Sequence, residues 1–138
     1  MVKIDVEYLG DLHCKVTHAP SGNGFLTDAP LDNQGKAEYI SPTDLLGGSI
    51  GSCIATIMGI KARDLGADIE GMTIEVSKEM VTKPFRRVGK LSFIITFPKA
   101  LSDEHFKILS NVVNTCPVTR SLSPEIELVR EFKFKEND

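Results

Sequence analysis

The chain contains no tryptophan, two tyrosines and only three cysteines in 138 residues. Three thiols (Cys14, Cys53 and Cys116) cannot close into a complete disulfide framework, and none lies in a C-x-x-C pair, so free thiols in a reducing compartment are expected. The three histidines, His13, His18 and His105, are scattered. Without an H-x-x-x-H pair or a Cys/His cluster there is no spacing for a structural zinc site, and no metal or cofactor is expected. Phosphate-cradling patterns of the G-x-G-x-x-G or Walker A type are absent, and Gly22-Asn23-Gly24 reads as a hairpin turn. A basic excess is missing too: 16 lysines and arginines against 19 acidic residues leave a net charge of −3. That excludes a dedicated nucleic-acid binder, whose surface would be basic. The first residues carry no apolar core of signal-peptide length, so a cytoplasmic location is expected. No apolar run is uninterrupted over the ~18 residues that a membrane span requires, and no membrane partner is expected.

What is present is ordinary for a globular protein, with 41% apolar and 25% charged residues. The length suits one domain, residues 1–138, with a proper core. The chain is organised around Ser41 to Leu65, which reads as one long helix. Ser41 is the expected N-cap, Pro42 fills the first helical position where its missing N–H costs nothing, and Asp44 completes a capping-box variant. Lys61, Arg63 and Gly66 mark the end. From Leu45 to Ile60 there is no charge, and apolar or small residues occupy every face, as in a buried helix. Gly47-x-x-x-Gly51 and Gly48-x-x-x-Ser52 weaken that helix by about 1 kcal/mol per glycine relative to alanine. Their expected use is close approach of another backbone along one stripe, with Cys53 at its end.

Residues 1 to 40 read as a β-meander: Lys3 to Leu9, Leu12 to Thr17 and Phe25 to Thr27, then a polar loop from Asp28 to Glu38. Three such strands bury little alone and need a partner surface. Beyond the helix, Met72 to Val81 and Val88 to Phe97 form a hairpin through Lys83-Pro84-Phe85-Arg86-Arg87. Ser102 caps an amphipathic helix carrying Phe106, Leu109, Val112 and Val113 on one face. Cys116-Pro117 opens a short helical turn through Leu122, and Ile126 to Phe134 closes the chain as a strand. Hairpin strands with segregated helices make an α+β domain.

Ser41-Pro-Thr-Asp-Leu-Leu-Gly-Gly-Ser-Ile-Gly-Ser-Cys53, together with the later Cys116-Pro117-Val118 and Ser121-Leu122, resembles the OsmC/Ohr family of osmotically inducible and organic-hydroperoxide-resistance proteins. Pro84-Phe85-Arg86-Arg87 is similar to the YhfA-like branch. The resemblance spans nearly the whole chain. It implies an OsmC-like fold in an intertwined homodimer with exchanged N-terminal strands, a long buried central helix, and two active sites near the subunit interface. It also implies thiol-dependent reduction of organic hydroperoxides. Cys53 would be oxidised to a sulfenic acid, Cys116 would resolve it as a disulfide, and a dithiol, in the Ohr branch a lipoylated protein, would reduce that disulfide.

The chain departs from the peroxidase branches in two places. It has no arginine before Arg63, and Thr43 stands where those branches carry glutamate. A reactive thiol must be a thiolate, and an unperturbed one is mostly protonated at neutral pH. Cys53 lies about three turns inside its helix, beyond the reach of the macrodipole. Its activation would come from a cation brought in by folding: Lys15, His13 or His18 from the N-terminal strands, or Arg86 and Arg87 from the hairpin connection. Asp44 is the remaining candidate contact, set against its capping role. Cys116, placed like an N-cap before Pro117, would itself gain from free N–H groups and is a rival nucleophile. Against these stands inert packing, since free cysteine behaves as a small hydrophobe; Cys14 reads that way. Two alternatives to the peroxidase follow: a redox sensor or thiol oxidoreductase on the same scaffold, and a non-enzymatic dimer binding an apolar ligand.

Overall fold

The computed structural model describes residues 1–136. The chain divides into two compact units, Met1–Leu46 and Gly47–Asp138. In the first, β1 (Ile4–Gly10), β2 (His13–His18) and β3 (Gly24–Asp28) form an antiparallel sheet in the order β1-β2-β3. The turn between β1 and β2 runs through Gly10, Asp11 and Leu12 with φ of 91°, 52° and 64°. Glycine and aspartate tolerate that region well; leucine does so here while its N–H donates to the Tyr8 hydroxyl at 3.3 Å. Val6 faces Val16, Tyr8 faces Cys14, and Val16 faces Phe25. Strand alternation therefore gathers Ile4, Val6, Tyr8, Val16 and Phe25 on one sheet face. Ile4, Val6, Tyr8 and Phe25 remain exposed in the single chain.

The segment after β3, read as a loop, contains a 3-10 turn at Leu31–Asn33. Asp28 organises it. Its Oδ1 accepts the Ala29 N–H at 2.8 Å, and its Oδ2 accepts those of Lys36 at 3.2 Å and Glu38 at 3.0 Å. A buried carboxylate holding three backbone donors fixes a polar segment that has no sheet ladder of its own.

Helix α1 (Pro42–Leu65) starts and stops where its caps predict. The Asp44 N–H donates to Ser41 Oγ at 3.1 Å, and the Ser41 N–H donates to Asp44 Oδ2 at 2.9 Å, a reciprocal capping box. At the far end Gly66 has φ 68°, and the Ala67 N–H reaches the Ala62 carbonyl at 2.9 Å. The helix is long and apolar enough for a membrane span by length and composition. Its buried stripe, however, is that of a core helix: Gly47, Ile50, Gly51, Ile54, Met58 and Ala62 recur at helical spacing.

The second unit holds β4 (Thr73–Val81), β5 (Arg87–Phe97), α2 (Asp103–Val112), α3 (Pro117–Arg120) and β6 (Glu127–Phe134), with sheet order β4-β5-β6. The glycine stripe of α1 finds its use here, and it differs from the expected backbone contact. A Cβ on Gly47 would lie 3.0 Å from Val76 Cγ1 and 3.3 Å from Leu91 Cδ2; one on Gly51 would lie 3.2 Å from Val76 Cγ2. The glycines make room for sheet side chains. Burial all round the helix is also not what the single chain has: Ser52 and Ile60 are exposed. Fully buried Ile50, Ile54 and Met58 each contribute about 1.5–3 kcal/mol by leaving water.

β5 pairs antiparallel with β4 and parallel with β6. The parallel pairing goes beyond the hairpin reading. A parallel neighbour requires a long crossover, and α2 and α3 supply it. Ser102 Oγ accepts the His105 N–H at 3.1 Å at the start of α2. The crossover packs through Phe106, whose ring meets Phe97, Phe132 and Phe134 at 6.1, 5.7 and 5.6 Å. Pairs at such separations add about 0.5–1.5 kcal/mol beyond burial.

Candidate active site

Both cysteines of interest lie in the second unit. Cys53 sits on α1 beside the buried stripe and is half-buried, while Cys116 is fully buried. Cys116 follows a 3-10 turn, Val113–Thr115, and caps α3. Pro117 at the first helical position holds the helical φ without needing a partner for an N–H. The Cys116 sulfur accordingly stands in the place of a capping oxygen and accepts the Thr119 N–H at 3.4 Å.

The crossover brings that sulfur near Cys53, close enough for each thiol to shift the other's proton affinity. Their proton affinities move apart. Burial pushes the Cys53 thiol up, and its hydrogen bond and charge interaction with Cys116 push it further, against a lowering contribution from the Val118 N–H. Burial also acts to raise Cys116, but the Thr119 hydroxyl and N–H, the Cys53 thiol and the Val118 N–H outweigh it and bring the thiol below its ordinary value. The Thr119 hydroxyl is buried without a formed hydrogen bond, so it needs only to turn its proton toward the sulfur. Cys116 is therefore the more readily deprotonated of the two. Hydrogen bonds to the charged form, supplied by a helix start, set this order.

The other candidates divide. Asp44 holds the capping box. Arg87 Nη1 donates to the Val88 carbonyl at 3.3 Å, and its Nε lies 3.9 Å from Glu125 Oε2. Arg86 is exposed. In the first unit, Lys15 is an exposed β2 residue opposite Glu7 and Leu26, and His18 Nδ1 lies 2.7 Å from Ser21 Oγ. His13 Nε2 lies 3.7 Å from Asp28 Oδ2 and 3.6 Å from Glu38 Oε2. Cys14 is half-buried on β2. Thr119 and the Val118 N–H were not singled out in the sequence. The signal was there, since a capping residue followed by a first-position proline points its acceptor at the N–H two or three places on.

These features define an α+β protein in which a core helix and a helix start each contribute one thiol to an interacting pair. The chain belongs to the OsmC-like protein family, which matches residues 35–129 and so runs across both units. A structure from Psychrobacter arcticus, of a protein named for an osmotic stress induced and detoxification response, is 46% identical with a TM-score of 0.88, covering 98% of this chain and 96% of that one. The organic hydroperoxide resistance protein of Elizabethkingia anophelis superposes with a TM-score of 0.77 at 12% identity, over 98% and 96% of the two chains. For OhrB of Bacillus subtilis, likewise an organic hydroperoxide resistance protein, the TM-score is 0.68 at 14% identity, over 98% of each chain. Among curated proteins none matches. The expected OsmC-like α+β fold is therefore the fold of this chain.

Proposed function

We propose that the protein reduces organic hydroperoxides through Cys53 and Cys116. The observation that carries this reading is the meeting of a half-buried thiol of raised pKa with a fully buried one of lowered pKa. Cys53 is the sulfur a peroxide can reach. Cys116 is the base that can make it a nucleophile.

As the peroxide approaches, the proton passes from Cys53 to Cys116. The Cys53 thiolate attacks the terminal oxygen, the O–O bond breaks, and Cys53 becomes a sulfenic acid while the alkoxide leaves. Cys116 returns the proton to the alkoxide, giving the alcohol. Its regenerated thiolate then attacks the Cys53 sulfur, forming the disulfide and expelling hydroxide, which a solvent proton converts to water. A dithiol, in the manner of a lipoylated protein, restores both thiols. Two electrons leave the thiol pair and two reach the peroxide, so the step balances.

The working form in this proposal is a cytoplasmic homodimer. The exposed row Ile4, Val6, Tyr8 and Phe25 supports it, because a sheet face of that composition is expected to be covered by a second copy. Thr43 at the start of α1, and a Cys53 pKa raised rather than lowered, favour a second reading: a thiol oxidoreductase or redox sensor. Consumption of cumene hydroperoxide with a dithiol present decides between them. The peroxidase reading expects turnover that falls at least about a hundredfold in Cys53→Ser. Turnover absent from the parent protein, with disulfide exchange retained, transfers the assignment to the second reading.

A further inference from the structure

A second group of chemically active side chains lies in the first unit. His13 from β2, Asp28 from the end of β3 and Glu38 from the following loop bring one nitrogen and two carboxylate oxygens within 4.8 Å of one another. The His13 Nε2 atom is buried and has no hydrogen-bond partner. Its nearest acceptors, Asp28 Oδ2 at 3.7 Å and Glu38 Oε2 at 3.6 Å, are nearly equidistant. Both separations are too long for the N–H···O bond that a protonated imidazole would make to a chosen carboxylate. They come close to the ligand-to-ligand edge of a tetrahedral metal site, which is about 3.3–3.4 Å for metal–ligand bonds of about 2.0–2.1 Å.

We propose that His13, Asp28 and Glu38 bind a divalent transition-metal ion of the zinc class. One imidazole and two carboxylates form a borderline donor set suited to such ions. The ligands are also held. The Ala29, Lys36 and Glu38 N–H groups orient Asp28, and the Glu38 N–H bond ties the third ligand's backbone to the second ligand's side chain. The His13 ring packs edge-on against Tyr39, with centroids 5.7 Å apart. An adjoining cleft of about 340 Å³, with His13, Glu38, Asp11 and Tyr39 on its wall, gives an ion a path and leaves room for a water ligand. The donors are widely separated in sequence, one from β2, one from the end of β3 and one from the following loop, so the site has no short motif and differs in kind from the Cys/His zinc spacing that the sequence lacks.

The test is titration of the chelator-stripped full chain with Co²⁺ and Zn²⁺, in the parent protein and in a variant with Cys14, Cys53 and Cys116 all changed to serine. The expected result in the serine variant is one Co²⁺ per chain, with visible d–d bands and no sulfur-to-cobalt charge transfer. His13→Gln or Glu38→Gln in that background should weaken binding at least about tenfold, with circular dichroism unchanged. Should the serine variant fail to fold, the parent protein carries the test, because His13→Gln must then remove one equivalent of bound ion. Uptake that is absent, or that is the same in His13→Gln as in its parent, overturns the proposal.

Discussion

Cys53 and Cys116 act on each other's proton affinity in opposite directions, and it is the buried partner, Cys116, whose pKa is lowered. Accessibility and acidity are thereby divided between two residues. In the proposed mechanism the half-buried sulfur reacts, and the fully buried one moves the proton.

Because the Thr119 hydroxyl and N–H are the main lowering influences on Cys116, Thr119→Val should raise the Cys116 pKa and leave the N–H contact in place. Thiolate absorbance followed through a pH titration in a Cys14→Ser, Cys53→Ser background reads this directly. The alkaline shift should be accompanied by peroxide turnover that starts at higher pH when Cys53 is present. An unshifted titration would show that the hydroxyl contributes nothing.

Changing Cys116 to serine removes both the base and the resolving sulfur. Peroxide should then oxidise Cys53 slowly, and the sulfenic acid, with no partner to condense with, should accumulate and be trapped by dimedone. Mass spectrometry should find the adduct on Cys53 in this variant and a Cys53–Cys116 disulfide in the parent protein.

The glycines of α1 should answer differently to the same kind of change. A side chain at Gly51 runs into Val76, so Gly51→Leu should cost about 1–3 kcal/mol through overpacking. Gly59 has open space where its Cβ would be, so Gly59→Ala should stabilise the helix by about 0.5–1 kcal/mol. Urea midpoints of the two variants measure both effects.

Asp28 gives a pH dependence of known sign. The Glu38 N–H is the largest lowering influence; burial opposes it, and the Ala29 N–H, His13 and the Lys36 N–H add to it, holding the carboxyl below 3.8. A carboxylate with a depressed folded pKa adds stability above its unfolded value, and that stability is lost as pH falls through the folded one. Stability of the parent should therefore drop on acidification below 3.8 more steeply than that of Asp28→Asn, which lacks the titrating group. Bound metal at the proposed site would deepen the contrast.

Much of this architecture was legible before any coordinates. The caps at Ser41 and Gly66 delimit α1 because they satisfy orphan backbone groups locally, within a few residues of one another. Strand alternation around Ile4, Val6 and Tyr8 located the first sheet for the same reason. The paired cysteine motifs carried the family resemblance, and Pro117 already marked Cys116 as a capping sulfur.

Tertiary structure decided the rest, because it turns on distances between segments that local pattern does not encode. It set β6 parallel to β5 through the α2–α3 crossover, and it gave the glycines of α1 to Val76 and Leu91. The meeting of His13 with Asp28 and Glu38 follows from the return path of a loop pinned by three backbone hydrogen bonds. The sequence by itself determined which residues carry thiols and which elements hold them. Which thiol is the more acidic was decided by folding, since that depends on burial and on the N–H groups and hydroxyl gathered around Cys116.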